Sequence, residues 1–201
     1  MPRHIIASLF RVAAGFIFGA LLGIPLGLAM GSFAWLSSLL NSVIQCLRPI
    51  SPIAWLPVAA LTLKGADNAA VFIIFLSSFF PIAVSTAAAV ATVDLKYRRS
   101  ALNFGVRGLD SARYVIVPAV LPSILTSLRI ALGISWVVVV AAEMLGVSAG
   151  LGYLVNDARN QLRFDRVVAA MIVIGLIGLL IDTSIRRFER MELERRGLGA
   201  R

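Results

Sequence analysis

The sequence holds a single cysteine, Cys46, and a single histidine, His4. A lone thiol rules out an intramolecular disulfide and a thiolate metal cage, and one imidazole supplies no zinc ligand set. Both residues are expected to be structural, and no metal site is expected. Charge is scarce as well: 14% of the residues are charged, against about 25% in soluble domains. With 59% hydrophobic residues, a water-soluble fold would lack the polar side chains to cover itself. Two motifs of nucleotide and metal chemistry are missing, the Gly-x-x-x-x-Gly-Lys-Ser/Thr phosphate loop and the His-Glu-x-x-His zinc helix. A catalytic role would have to rest on scattered serines and carboxylates, so energy for any work must come from elsewhere.

What the chain does have is long apolar runs. Stretches of about 20 apolar residues cross a bilayer, and such runs lie at 5–30, 33–63, 68–93, 116–145 and 167–185. The pattern predicts an all-α, polytopic membrane protein of about five spans. It reads as one transmembrane domain over 1–201, with a cytoplasmic loop at about 94–115 and a cytoplasmic tail at about 186–201. The first run follows Arg3 and His4, exceeds a signal-peptide core and has no small-x-small cleavage site after it, so it is expected to be retained as a span.

The net charge of +9 does not point to nucleic acid, because the basic residues gather beside the spans rather than with stacking aromatics. Lys96, Arg98, Arg99, Arg107 and Arg113 sit in the loop, and Arg186, Arg187, Arg190, Arg195, Arg196 and Arg201 in the tail. Basic loops stay in the cytoplasm. Counting back from them places the N-terminus outside, which fits poorly with Arg3 and Arg11. A further helix before Met1, or an N-terminal segment lying along the interface, would remove the conflict.

Three local patterns carry information. In "GFIFGALLGIPLGLAMG" the glycines Gly15, Gly19, Gly23, Gly27 and Gly31 recur every four residues, which on a helix makes a groove without side chains, suited to close helix contact. Pro25 is expected to kink that helix. In "RPISPIAWLPVAAL" Pro49, Pro52 and Pro57 exclude an unbroken helix over 33–63. Irregular backbone at membrane depth is tolerated only inside protein or along a wet cavity, which makes this span a candidate pathway wall, with Trp55 either an indole N–H donor to a passing anion or an interfacial anchor. Ionisable residues within spans cost about 2.5–3.5 kcal/mol on insertion scales and mark function or pairing. Arg129, Glu143 and Asp182 qualify. Arg129 and Glu143 lie about 21 Å apart on a straight helix and each needs another partner, whereas Asp182 and Arg186 suit an i,i+4 pair. Glu143 is open to either a bond with a neighbouring helix or a lining role.

The polar island "YRRSALNFGVRGLDSARYVIVP", 97–118, is larger than a simple connection between spans requires. It reads as a short amphipathic helix, then a turn at Gly105 and Gly108, then a helix capped by Asp110 or Ser111 that runs through Pro118 into the fourth span. Phe104 and the basic rim suit either a groove on a soluble partner or anionic lipid.

The island resembles the cytoplasmic loop of permease subunits of ATP-binding-cassette importers, which reads Glu-Ala-Ala, three residues, Gly, nine residues, Ile-x-Leu-Pro. This chain keeps the spacing with Arg99, Ser100 and Ala101, then Gly105, then Val115, Ile116, Val117 and Pro118. Arg99 replaces the usual Glu and Ser100 the usual Ala. "RPISPIAWLPVAAL", "SLRIALGISWVVVVAAEML", "GLGYLVNDARN" and "VIGLIGLLID" extend the resemblance to the branch importing nitrate, sulfonate, taurine or bicarbonate. The resemblance implies a type I permease core with a cytoplasmic coupling helix, in the bacterial inner membrane. It implies a non-catalytic subunit that binds no cofactor itself, with ATP and Mg on partner ATPase subunits. A second permease copy and a periplasmic or lipid-anchored binding protein complete the assembly. Arg99, Ser100, Ala101, Phe104, Gly105, Val115, Val117 and Pro118 would engage the ATPase. Ser51, Trp55, Ser77, Ser78, Ser135, Trp136 and Glu143 would line the path. A self-sufficient anion channel and a small intramembrane enzyme using Glu143 or Asp182 are the competing readings; the enzyme leaves the cytoplasmic island unexplained.

Overall fold

The computed structural model describes residues 1–94, 96 and 108–195; Arg99, Ser100, Ala101, Phe104 and Gly105 lie outside the described residues. The described chain is helical and contains no strand. Helix α1 (Pro2–Ser32) is followed by α2 (Ala34–Leu47), a 3₁₀ turn (Pro52–Trp55), α3 (Leu56–Thr62) and α4 (Ala66–Ala91). Beyond Gly108 come a helical turn (Leu109–Ser111), a π-helical stretch (Ala112–Ile116), α5 (Val117–Gly146), α6 (Leu151–Asn160) and α7 (Phe164–Arg195). Among the described residues four helices are long and apolar enough to cross a membrane, and α2 with Pro52–Thr62, bent by 83°, passes the same test as a pair, which gives up to five spans. These coincide with the five apolar runs.

The glycine repeat is the seam between α1 and α4. A Cβ at Gly15 would lie 2.7 Å from Ile74 Cβ, and one at Gly27 would lie 2.6 Å from Thr86 Cβ and 2.5 Å from the Ala83 carbonyl. Any side chain there would collide, so the two backbones approach to a distance that only glycine permits. In lipid, apolar helices gain little by leaving the acyl chains, and this tight packing is what holds them together. Pro25 lies inside α1, which remains helical on both sides of it.

α5 packs on α4 next, through Val120 and Ile124 near one end and Val139 and Ala142 near the other, all buried. The prolines of the second span act as the sequence predicts. α2 stops at Leu47, and Pro52 and Pro57 each stand at the start of a new helical segment, where a missing N–H is harmless. The α7 span is different: only 6% of its apolar window is buried within the chain, so it presents most of its surface outward.

Gly108 adopts φ +57, the turn expected before the fourth span. Ser111 makes no side-chain cap bond. Instead the Val117 N–H reaches back to the Ala112 carbonyl in π register, immediately before Pro118, which has no N–H to give.

Two substitutions test the seam. Gly27→Leu is expected to lower the stability of the detergent-solubilised protein by about 1–3 kcal/mol through overpacking, whereas Gly175→Ala, with nothing within 4 Å of its added Cβ, should change it by less than about 1 kcal/mol. Thermal unfolding of both variants reads the difference. Thr86 has a buried hydroxyl without a hydrogen-bond partner among the described residues, so Thr86→Val should unfold at an equal or higher temperature.

Candidate functional site

Two polar features stand out in the apolar bundle. The first is a buried charge network where α1 begins, α4 begins and α5 ends. Glu143 is 1% exposed, and its carboxylate accepts from Arg11 Nη1 at 2.6 Å, Ser8 Oγ at 2.8 Å and the Gly152 N–H at 3.0 Å. Arg11 also donates to Asp67, from Nε at 3.0 Å and Nη2 at 2.5 Å. Ser8 Oγ in turn accepts from the Leu151 N–H at 2.9 Å. Thus one carboxylate ties α1, α5 and the first turn of α6, and one guanidinium extends the tie to α4. The helix N-terminus favours the negative charge, and the donor set satisfies a carboxylate that would otherwise be costly to bury.

The local sequence explains how α6 gets so close. A Cβ at Gly150 (φ +139) would overlap the Glu143 carboxylate, and one at Gly152 would overlap the Val140 carbonyl. "GLG" at the head of α6 is therefore the wall of the Glu143 pocket. His4 completes it: Nδ1 accepts from the Gly150 N–H at 3.1 Å and the ring stacks on Tyr153. Asn156 Nδ2 donates to the Met144 carbonyl at 3.1 Å, covering the end of α5.

The second feature is a groove of about 250 Å³ beside the break in the second span. Arg48, Pro52 and Trp55 form one side, and Ser77, Phe80, Pro81, Ile134 and Val138 of α4 and α5 the other. Ser77 Oγ donates to the Ile74 carbonyl at 2.8 Å, which leaves its lone pairs toward other donors.

The residues proposed for the path therefore separate. Trp55 and Ser77 meet in the groove, with Ser51 exposed at the break beside them. Ser78 is fully buried under Gly19 and bonds to the Ile74 and Phe75 carbonyls. Ser135 is fully buried and donates to the Ala131 carbonyl. The Trp136 indole donates to the Ile174 carbonyl at 3.2 Å and packs against Gly178. Glu143 is in the charge network. Of the residues assigned to coupling, Val115 and Val117 are half-buried and Pro118 is exposed, on the π stretch and the start of α5.

The partners demanded by the isolated charges are all present. Arg129 Nη1 pairs with Glu189 at 3.1 Å, and the Thr126 hydroxyl donates to the same carboxylate at 2.7 Å. Asp182 and Arg186 form the i,i+4 pair at 2.9 Å. Arg11 corrects the topology argument: it is 5% exposed and consumed by Glu143 and Asp67, so it is not a loop charge that orients the chain. The turn before α6 spells Gly146-Val147-Ser148-Ala149-Gly150, the letters of a nucleophile elbow. It joins two helices rather than a strand and a helix, and no hydrogen bond links Ser148 to His4 among the described residues.

Breaking a buried pair by removing one partner costs about 3–5 kcal/mol. Arg11→Met alone should lose stability in that range in denaturant titration, and Arg11→Met with Glu143→Met should recover part of it. Additive losses would contradict the pairing.

Comparison with known proteins agrees with this architecture. The nitrate import permease protein NrtB of Synechocystis sp. is 38% identical over 191 residues, covering 94% of this chain and 68% of the relative. The taurine transport system permease protein TauC of Escherichia coli is 35% identical over 188 residues, again covering 94% of this chain and 68% of the relative. The chain thus spans about two thirds of their length. Among solved structures, the MetNI methionine ABC transporter in an inward-facing conformation superposes with a TM-score of 0.83 at 16% identity, over 94% of each chain; this shows a shared fold. Residues 5–191 match the sequence pattern of one family, and the chain belongs to it: the binding-protein-dependent transport system inner membrane components.

Proposed function

We propose that this permease imports a small oxyanion, of the nitrate, bicarbonate or sulfonate kind, and is driven by ATP hydrolysed on separate subunits. The substrate class is supported by the names of the relatives, which include a bicarbonate transport system permease besides those for nitrate and taurine. In this reading two copies of the chain sit in the bacterial inner membrane, each seating its loop in one ATPase subunit that holds ATP and Mg. A periplasmic or lipid-anchored binding protein delivers the substrate. The chain itself carries no cofactor and acts as one permease domain.

The observation that carries the coupling is continuity. From Gly108 the chain is helical without interruption through the π stretch into α5, and α5 packs on α1, α4, α6 and α7. A push on the segment around Arg99, Ser100, Ala101, Phe104 and Gly105 therefore enters the helix that touches most of the bundle. The π register before Pro118 gives that entry a weak point, as π segments often do at functional positions. Val115, Val117 and Pro118 stand where the displacement would pass. Alternating access follows if the bundle moves as a unit about a path bounded by the groove, with Trp55, Ser77 and Ser51 on its wall.

Reconstitution tests this. Proteoliposomes carrying the permease, its ATPase and its binding protein are expected to take up nitrate, bicarbonate or taurine only with ATP, and liposomes with the permease alone should take up none. Flux through the permease alone would support a channel and contradict the proposal. Gly105→Asp and Phe104→Ala should each weaken ATPase co-purification by about tenfold, a loss of about 1.4 kcal/mol, while the permease stays folded and membrane-inserted. Unchanged recovery in both would remove the assigned coupling contact.

A further inference from the structure

Arg48 differs from the other cations found within the spans. Arg11 and Arg129 each hold a carboxylate. Arg48 makes no ion pair among the described residues and lines the groove at the break of the second span. The depth of that groove follows from its other wall. Ser77 is eleven residues after Ala66 and fourteen before Ala91 in α4, about 17 Å and 21 Å from the two helix ends. Phe80, Ile134 and Val138 likewise come from the interior stretches of α4 and α5. Arg48, itself exposed on this chain, thus borders a groove that lies level with the middle of α4. Among the described residues no carboxylate lines the groove.

A second unspent donor lies in the same place. Trp55 lines the groove, and its indole N–H has no acceptor among the described residues; the Trp136 indole, by contrast, is bonded to a carbonyl. An unpaired charge inside a span is expensive and needs compensation from something. Among the described residues the groove offers this charge no carboxylate, only the neutral Ser77 hydroxyl as a side-chain acceptor, and an anion would compensate it.

We infer that Arg48 is the oxyanion-contacting residue of the translocation groove, assisted by the Trp55 N–H. The planar guanidinium presents two parallel N–H bonds to two oxygens of a trigonal or tetrahedral oxyanion, a geometry that an ammonium does not reproduce. This inference rests on the importer reading and narrows it: the species in the groove carries at least one anionic oxygen pair, whatever the rest of the molecule.

The test uses the complete transporter, permease with ATPase and binding protein, in proteoliposomes with nitrate, bicarbonate and taurine as probes at saturating binding protein. Arg48→Gln is expected to lower the maximal uptake rate of the transported probe by about tenfold or more, as loss of a charged hydrogen bond implies, and Arg48→Lys should retain more than Arg48→Gln. Uptake by Arg48→Gln at the wild-type rate would overturn the assignment while leaving the importer reading intact. Wild-type complex that moves none of the three probes would instead overturn the importer reading. A second measurement guards against poor assembly: Arg48→Cys is made on a Cys46→Ser background, since Cys46 is itself exposed, and is modified with a cationic or a neutral thiol reagent. Restoration by the cationic adduct alone supports the assignment, and equal rates with both overturn it. Failure of Arg48→Gln and Arg48→Cys to assemble with a second copy would also overturn it, because Arg48 would then be pairing with a carboxylate of that copy.

Discussion

In a bilayer a glycine seam does what a hydrophobic core does in water. Acyl chains are as apolar as leucine, so α1 and α4 have no solvent-driven reason to associate; they adhere because Gly15, Gly19, Gly23, Gly27 and Gly31 let one backbone lie against the other. The remaining order builds on that contact. α5 packs on the α1–α4 pair, the charge network closes one end by linking α1, α4, α5 and α6, and the broken span is left leaning on the outside of α4 and α5. A rigid part and a less-supported part thus arise from one packing constraint.

Polar groups divide along the same line. Glu143 and Arg11 are buried and bonded to each other and to Ser8, Asp67 and the head of α6, which suits a clamp rather than a binding site. Arg48 has the same functional group as Arg11 in the opposite situation, lining an open groove with no ion pair among the described residues. Identity of side chain therefore says little, and the state of its partners says much. The same contrast separates Trp136, whose N–H is taken, from Trp55, whose N–H has no acceptor among the described residues.

Much of this was legible in the residues. Apolar length gave the five spans, the four-residue glycine repeat gave the tight seam, and the prolines after Arg48 gave the break, because each is a local property of the chain. The i,i+4 pair of Asp182 and Arg186 is local too. Long-range pairing was not legible. Glu143 and Arg11 are 132 positions apart, and Arg11 taken alone looks like a topology-setting charge. Nor did sequence periodicity reveal α6, a ten-residue helix folded back on the bundle, although its glycines, needed where backbone crowds Glu143, were a usable signal. Arg48 borders the proline-rich break and by sequence reads as a loop residue, which masks a charge inside the second apolar run.

The central claim is that the face formed by the broken span, α4 and α5 borders water in the assembled transporter, while the outward face of α7 borders lipid. A cysteine accessibility scan on the full complex measures this directly, on the Cys46→Ser background. Single cysteines at Trp55, Phe80, Ile134 and Val138 are predicted to react with a membrane-impermeant thiol reagent, and to change rate when ATP is added, whereas cysteines at Leu176 and Leu180 of α7 stay unmodified. Rapid labelling at the α7 positions with protection at all four groove positions would contradict the account.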